Sequence, residues 1–150
     1  MKKISLIITI VAVALSLGSC ETYDDYNTDR KTVVGFSEIS RNINGVPTGS
    51  EKSIDVKIFA SDLSSSDRQF NIISVPTILD DSTVPPEVQT NPDNYRFDPT
   101  VTIPANTREG VITVYGTNAS MQQNIEFFSL AIEGSANVVS GAVTKIRLRQ

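Results

Sequence analysis

The sequence contains no histidine, no tryptophan and a single cysteine. Without histidine the chain has no side chain whose ordinary pKa lies near neutrality, and no Ser-His or Cys-His couple can form. The same absence removes the commonest ligand for zinc and related metals. With one cysteine no intramolecular disulfide can close, so any folded part holds together by its core alone. Paired carboxylates could in principle hydrolyse glycosides. The lack of tryptophan and of any evident cleft in so short a chain argues against that chemistry. These absences point away from an enzyme, and no cofactor is expected. Helical periodicity is also missing: no segment repeats its apolar residues at the spacing of an amphipathic helix.

The one long apolar run lies at the start. Met1-Lys2-Lys3 precedes Ile4 to Leu17, a short basic head followed by an apolar stretch. That is the layout of a secretory signal peptide, and the stretch falls short of the roughly 20 residues that span a bilayer. Leu17-Gly18-Ser19-Cys20 resembles the bacterial lipobox, in which small residues precede an obligatory cysteine. The resemblance implies cleavage before Cys20, a diacylglyceryl thioether on its sulfur and acylation, palmitate-like, of the new amine. Several acyl chains, at about 0.8 kcal/mol per buried methylene, anchor a protein durably where one chain does not. A signal peptide over 1–19 and lipid on Cys20 are the expectation.

Removing Lys2 and Lys3 takes the basic count from 13 to 11 against 17 acidic residues, a net charge near −6. Such a surface excludes nucleic acid as a partner and disfavours electrostatic adhesion to anionic headgroups. Residues 20–31 are polar, acidic and aperiodic, which suits a flexible tether. Acidic residues just after a lipidated cysteine resemble the surface-export signal of Bacteroidota lipoproteins. That likeness implies an outer-membrane, lipid-anchored protein facing the cell exterior.

From Thr32 onward short runs of β-formers alternate with turn residues. Ser53 to Ala60 places Ile54, Val56 and Ile58 on one face and Asp55 and Lys57 on the other, the pattern of a strand with one face on a core. Further strands are predicted over 32–39, 69–75, 100–103, 110–115, 125–133 and 142–149, with a turn at Pro104-Ala105-Asn106-Thr107. About seven short strands argue an all-β, antiparallel, immunoglobulin-like sandwich over residues 32–150. Pro76, Pro85, Pro86, Pro92 and Pro99 mark residues 76–99 as a long surface loop, which could carry recognition or be a plain insertion. Within it, Asp81-Ser82-Thr83 resembles the short O-glycosylation motif of exported Bacteroidota proteins, with Ser82 as the acceptor.

Val101-Thr102-Ile103-Pro104-Ala105-Asn106, then Glu126-Phe127-Phe128-Ser129-Leu130-Ala131-Ile132, resembles the "V-x-I-P-A-G" turn and "E-x-F-x-L-x-L" strand of Calx-beta-like domains common in Bacteroidota lipoproteins. The likeness runs over roughly Thr32 to Arg149 and implies the same sandwich. Some Calx-beta domains bind calcium through clustered carboxylates, and calcium takes six to eight oxygens. Here the pattern's early Glu falls on Thr48, its "DY" pair on Asn94-Tyr95, and its Asp-rich loop on Gly116 to Ser120. Glu126, with Asp93 nearby, is what remains. No high-affinity calcium site is expected.

The sequence therefore suggests a non-catalytic, membrane-anchored surface lipoprotein that binds a glycan or protein ligand or serves structurally, accessory to glycan uptake. Tyr95 and Tyr115, with Phe97 behind them, are the aromatic candidates for ligand contact, weighed against plain core packing. The alternative is a subunit or adhesin-like component that pairs an edge strand with a neighbour in an outer-membrane assembly. On that reading the last strand is an edge, and Lys145, Arg147 and Arg149 either guard it or meet an acidic partner.

Overall fold

The computed structural model describes residues 30–150; the signal peptide, Cys20 and nearly all of the acidic tether lie outside them. Residues Lys31 to Gln150 form one compact unit. Ten strands are found among the described residues: β1 (Thr32–Phe36), β2 (Ser40–Asn44), β3 (Lys52–Ala60), β4 (Arg68–Val75), β5 (Tyr95–Phe97), β6 (Thr100–Ile103), β7 (Glu109–Gly116), β8 (Ile125–Ile132), β9 (Val138–Ser140) and β10 (Thr144–Arg149). They build two five-stranded sheets, ordered β5-β7-β3-β1-β9 and β2-β10-β8-β4-β6. Pairing is antiparallel except at two places, where β1 runs parallel to β9 and β2 parallel to β10.

The sheets close on one apolar core. Val56, Ile58, Ile112 and Val114 from the first sheet meet Phe70, Ile72, Val101, Ile103, Phe128, Leu130, Ile146 and Leu148 from the second. Alternation does this work: in β10, Ile146 and Leu148 are fully buried while Arg147 and Arg149 are exposed. Each such residue contributes about 1.5–3 kcal/mol by leaving water. No disulfide is involved among the described residues, since they contain no cysteine.

The corner between β6 and β7 shows why the motif there takes its particular residues. Thr107 N donates to Pro104 O at 3.1 Å, and Asn106 adopts a left-handed φ of 59°. Glycine stands at this point of the Calx-beta-like pattern; asparagine is the side chain that best tolerates the same conformation. Just beyond, a Cβ on Gly110 would lie 2.7 Å from the Thr102 carbonyl oxygen, so the close approach of the two strands requires glycine.

The structure departs from the sequence expectation in three ways. The run expected over 32–39 breaks after Phe36, and a separate β2 follows. The proline-rich loop holds a single 3-10 turn, Pro92–Asn94, and the short strand β5. Most consequentially, the last strand is not an edge. β10 sits between β2 and β8 with both ladders filled, so its three cations cannot be edge guards.

Candidate ligand groove

The proline-rich segment leaves β4 at Val75 and returns to β8 at residues 88–90. β4 stops pairing with β8 at Ser129, and Gln89 takes up the vacated place beside Phe127. Phe127 N donates to Val88 O at 3.0 Å and Thr90 N donates to Phe127 O at 2.7 Å. Between those two points residues 76–87 form an arm over the outer face of the second sheet. Glu87 pairs with Lys145 of β10 and accepts from Asp80 N at 2.7 Å. Burial pushes the Glu87 carboxyl up, but the Lys145 ammonium, the Asp80 amide and the Lys145 charge outweigh it and leave its pKa below the usual range. The arm is thus fixed to the sheet by a half-buried ion pair.

A groove of about 650 Å³ runs between the arm and the sheet. Val84, Pro85 and Pro86 form one wall, Ile125 and Phe127 the floor, and Gln123, Asn124 and Arg147 the rim. Its lining is mainly apolar with a few converging polar groups, the composition of a site that binds a ligand by shape and orients it by hydrogen bonds. Val84 is 97% exposed, so an arm held in place by Glu87 presents an apolar side chain to solvent. Lys145 Nζ lies 4.5 Å from the Phe127 ring centre and the Arg147 guanidinium carbon 5.5 Å from it. Two cations on one ring orient both side chains.

A second, more polar groove of about 540 Å³ adjoins it, lined by Gln89, Asn91, Ser120, Gln122 and Gln123. Gln123 lines both. The wall that separates them is fixed from below by a buried polar cluster. Glu126, 2% exposed, accepts from Thr90 Oγ1 at 2.6 Å, from Gln122 N at 2.5 Å and from Gln123 N at 3.1 Å. Asn94 donates through Nδ2 to Thr90 Oγ1 at 3.0 Å, and its Oδ1 accepts from Ala119 N and Ser120 N at 3.0 and 2.8 Å. Asn94 and Glu126 both stand at positions of the calcium-binding pattern. Here N–H and O–H donors occupy them, and among the described residues no three carboxylates gather.

The two aromatic candidates do not come together. Tyr95 is half-buried in the sandwich interior, stacked on Phe128 at 3.9 Å between ring centres, with its hydroxyl 2.9 Å from Ser74 Oγ. Phe97 packs against the same core. Tyr115 lies on the outer face of the first sheet, and Arg96 covers its ring with the guanidinium carbon 3.4 Å from the ring centre. Glu51 holds Arg96 there through a two-pronged ion pair, with contacts of 2.6 and 2.5 Å. Ser82 is exposed on the arm, with its hydroxyl donating to Asp80 Oδ1 at 2.6 Å. The groove residues Gln123, Asn124, Ile125 and Phe127 carried no distinguishing sequence signal; only the return of the arm to β8 makes them a site.

Two five-stranded sheets in this order, with the Pro104–Thr107 corner and the buried start of β8, define a Calx-beta-like, immunoglobulin-like sandwich. No family model and no curated protein matches the chain. Solved structures do. A candidate carbohydrate-binding protein from Bacteroides ovatus superposes with a TM-score of 0.59 at 12% identity, covering 78% of this chain and 36% of that one. The Calx CBD1 domain in its apo form gives 0.56 at 8% identity, covering 80% of this chain and 97% of that domain. A multidomain Bacteroides ovatus protein that includes DUF1735 gives 0.53 at 16%, covering 77% and 44%. At these identities the likeness establishes the fold. The chain spans less than half the length of the two Bacteroides proteins, and nearly all of the Calx domain.

Proposed function

We propose that this chain is a non-catalytic, lipid-anchored surface module that binds a glycan in the groove beneath its proline-rich arm, accessory to glycan uptake at the outer membrane. The observation that carries the reading is the groove itself: an apolar floor and wall, amide groups at the rim, and an arm held over it by Glu87 and Lys145. The chain has no histidine, and among the described residues no three carboxylate or other metal-ligating groups gather. The resemblance in fold to a candidate carbohydrate-binding protein supports the ligand class by analogy. The lipobox at Cys20 and the acidic residues behind it support the anchor and the outward orientation. Edge pairing through the last strand has lost its basis, because β10 is central.

The test is a glycan array probed with residues 31–150, whose core is complete within that span. Asn124→Trp, which fills the groove from its rim, is expected to weaken any glycan captured by at least about tenfold, or about 1.4 kcal/mol. Tyr115→Ala, on the opposite sheet, is expected to leave binding unchanged. The reverse pattern would move the site to the Tyr115 face.

A further inference from the structure

Beyond the presence of a groove, its charges select what enters it; the inference rests on the groove being the binding site. β10 turns Lys145, Arg147 and Arg149 to the same outer face in one column. Across the ladder Arg147 stands opposite Phe127 and Arg149 opposite Ile125, the two floor residues. Glu87 neutralises Lys145 alone. Among the described residues neither Arg147 nor Arg149 has a carboxylate within ion-pair distance, although the chain as a whole is acidic. Arg41, Arg68 and Arg96 are each matched to a carboxylate of their own; Arg108 is not, among the described residues, but it lines neither groove. Two unpaired guanidiniums beside an apolar floor favour an anionic group on the ligand, since a planar guanidinium takes a carboxylate two-pronged and a drier surround strengthens the contact.

The remaining chemistry distinguishes a sugar from a peptide. Gln123 and Asn124 on the rim, continued by Gln89, Asn91 and Gln122 in the adjoining groove, are neutral groups that both donate and accept, as sugar hydroxyls do. An extended peptide would gain most from an open strand edge. At Phe127 there is none: β10 pairs with one side of β8 and the Val88–Thr90 segment with the other. We infer that the groove takes an acidic glycan, with the carboxylates of its sugars on Arg147 and Arg149 and its hydroxyls on the amide-lined extension past Gln123.

Calorimetric titration of residues 31–150 tests this with oligogalacturonate, oligomannuronate and a heparin-derived oligosaccharide as acidic probes. Fully methyl-esterified oligogalacturonate is the uncharged twin and poly-glutamate the peptide counterpart. At least one acidic probe is expected to bind about tenfold or more tighter than the ester, and to weaken as salt is raised. Arg147→Gln/Arg149→Gln is expected to lose that preference while keeping the urea midpoint, both side chains being exposed. Silence of all three acidic probes, or equal binding of the ester, overturns the inference. Equal binding of poly-glutamate overturns the glycan class. A neutral oligosaccharide that Asn124→Trp blocks and the arginine variant does not affect would refute acid selection while the groove's function stands.

Discussion

Phe128→Ala is expected to cost about 4 kcal/mol, a large share of the roughly 5–15 kcal/mol that holds a domain of this kind folded. Phe128 is 1% exposed and lies on β8 of the second sheet. Its ring stacks on Tyr95 of β5, which belongs to the first sheet, with planes 8° apart. The hydroxyl of Tyr95 then reaches back to Ser74 on β4. This stack is a joint between the sheets, at the place where the proline-rich segment passes from one to the other. Truncation removes the transfer free energy of the ring and leaves a cavity that rigid strands on both sides cannot fill. Urea unfolding of residues 31–150 checks it, and a melting temperature lower by about 20 °C should accompany the loss. Phe128→Leu, which keeps most of the volume, should cost less than half as much. A loss below about 1 kcal/mol for the alanine variant would mean the sheets are not joined there.

Glu126→Ala is expected to cost about 3 kcal/mol, through a different physical cause. Little volume is at stake; the loss comes from donors left without an acceptor. Thr90 Oγ1, Gln122 N and Gln123 N all donate to this carboxylate, and Asn94 Nδ2 approaches it at 3.5 Å. Glu126 and Thr90 are buried, so donors orphaned at the carboxylate's place carry a desolvation penalty. The damage should be local as well as global: amide exchange at Gln122 and Gln123 should accelerate well beyond the change in global stability. Glu126→Gln retains an acceptor and should fall between wild type and alanine. Unchanged exchange at both amides would show that the wall between the grooves is fixed by something else.

Much of this fold was legible in the residues. β3 announced itself through Ile54, Val56 and Ile58, and β8 through Phe128, Leu130 and Ile132, because alternation reflects a strand with a single core face. The sequence could not show that β8 is buried on its other face too, where Phe127, Ser129 and Ala131 are covered. That burial comes from neighbouring strands and the returning arm, which are contacts distant in sequence. β2 escaped notice because Ile43 is its one apolar inward residue among Ser40, Arg41, Asn42 and Asn44. β5 escaped because prolines surround it, and β9 because it is three residues long. The column Lys145, Arg147 and Arg149 was visible, yet alternating cations on a terminal strand look the same on an edge as on a central strand. Pairing partners decide between them, and those are set by topology.

The candidate site was less legible for the same reason. Tyr95 and Tyr115 stood out by chemistry, and the fold places one in the core and the other beneath Arg96. Gln123, Asn124 and Ile125 are unremarkable residues at the entry to a strand. They become a rim and floor once Gln89 docks beside Phe127 and carries the arm over them.

Amide chemical-shift mapping of isotope-labelled residues 31–150, as a captured glycan is titrated in, locates the binding surface directly. Shifts are expected at Thr83, Val84, Glu87, Gln123 to Phe127 and Arg147, with the Arg96 and Tyr115 amides unmoved. Shifts centred on Arg96 and Tyr115, or none on either side of the groove, would contradict binding there.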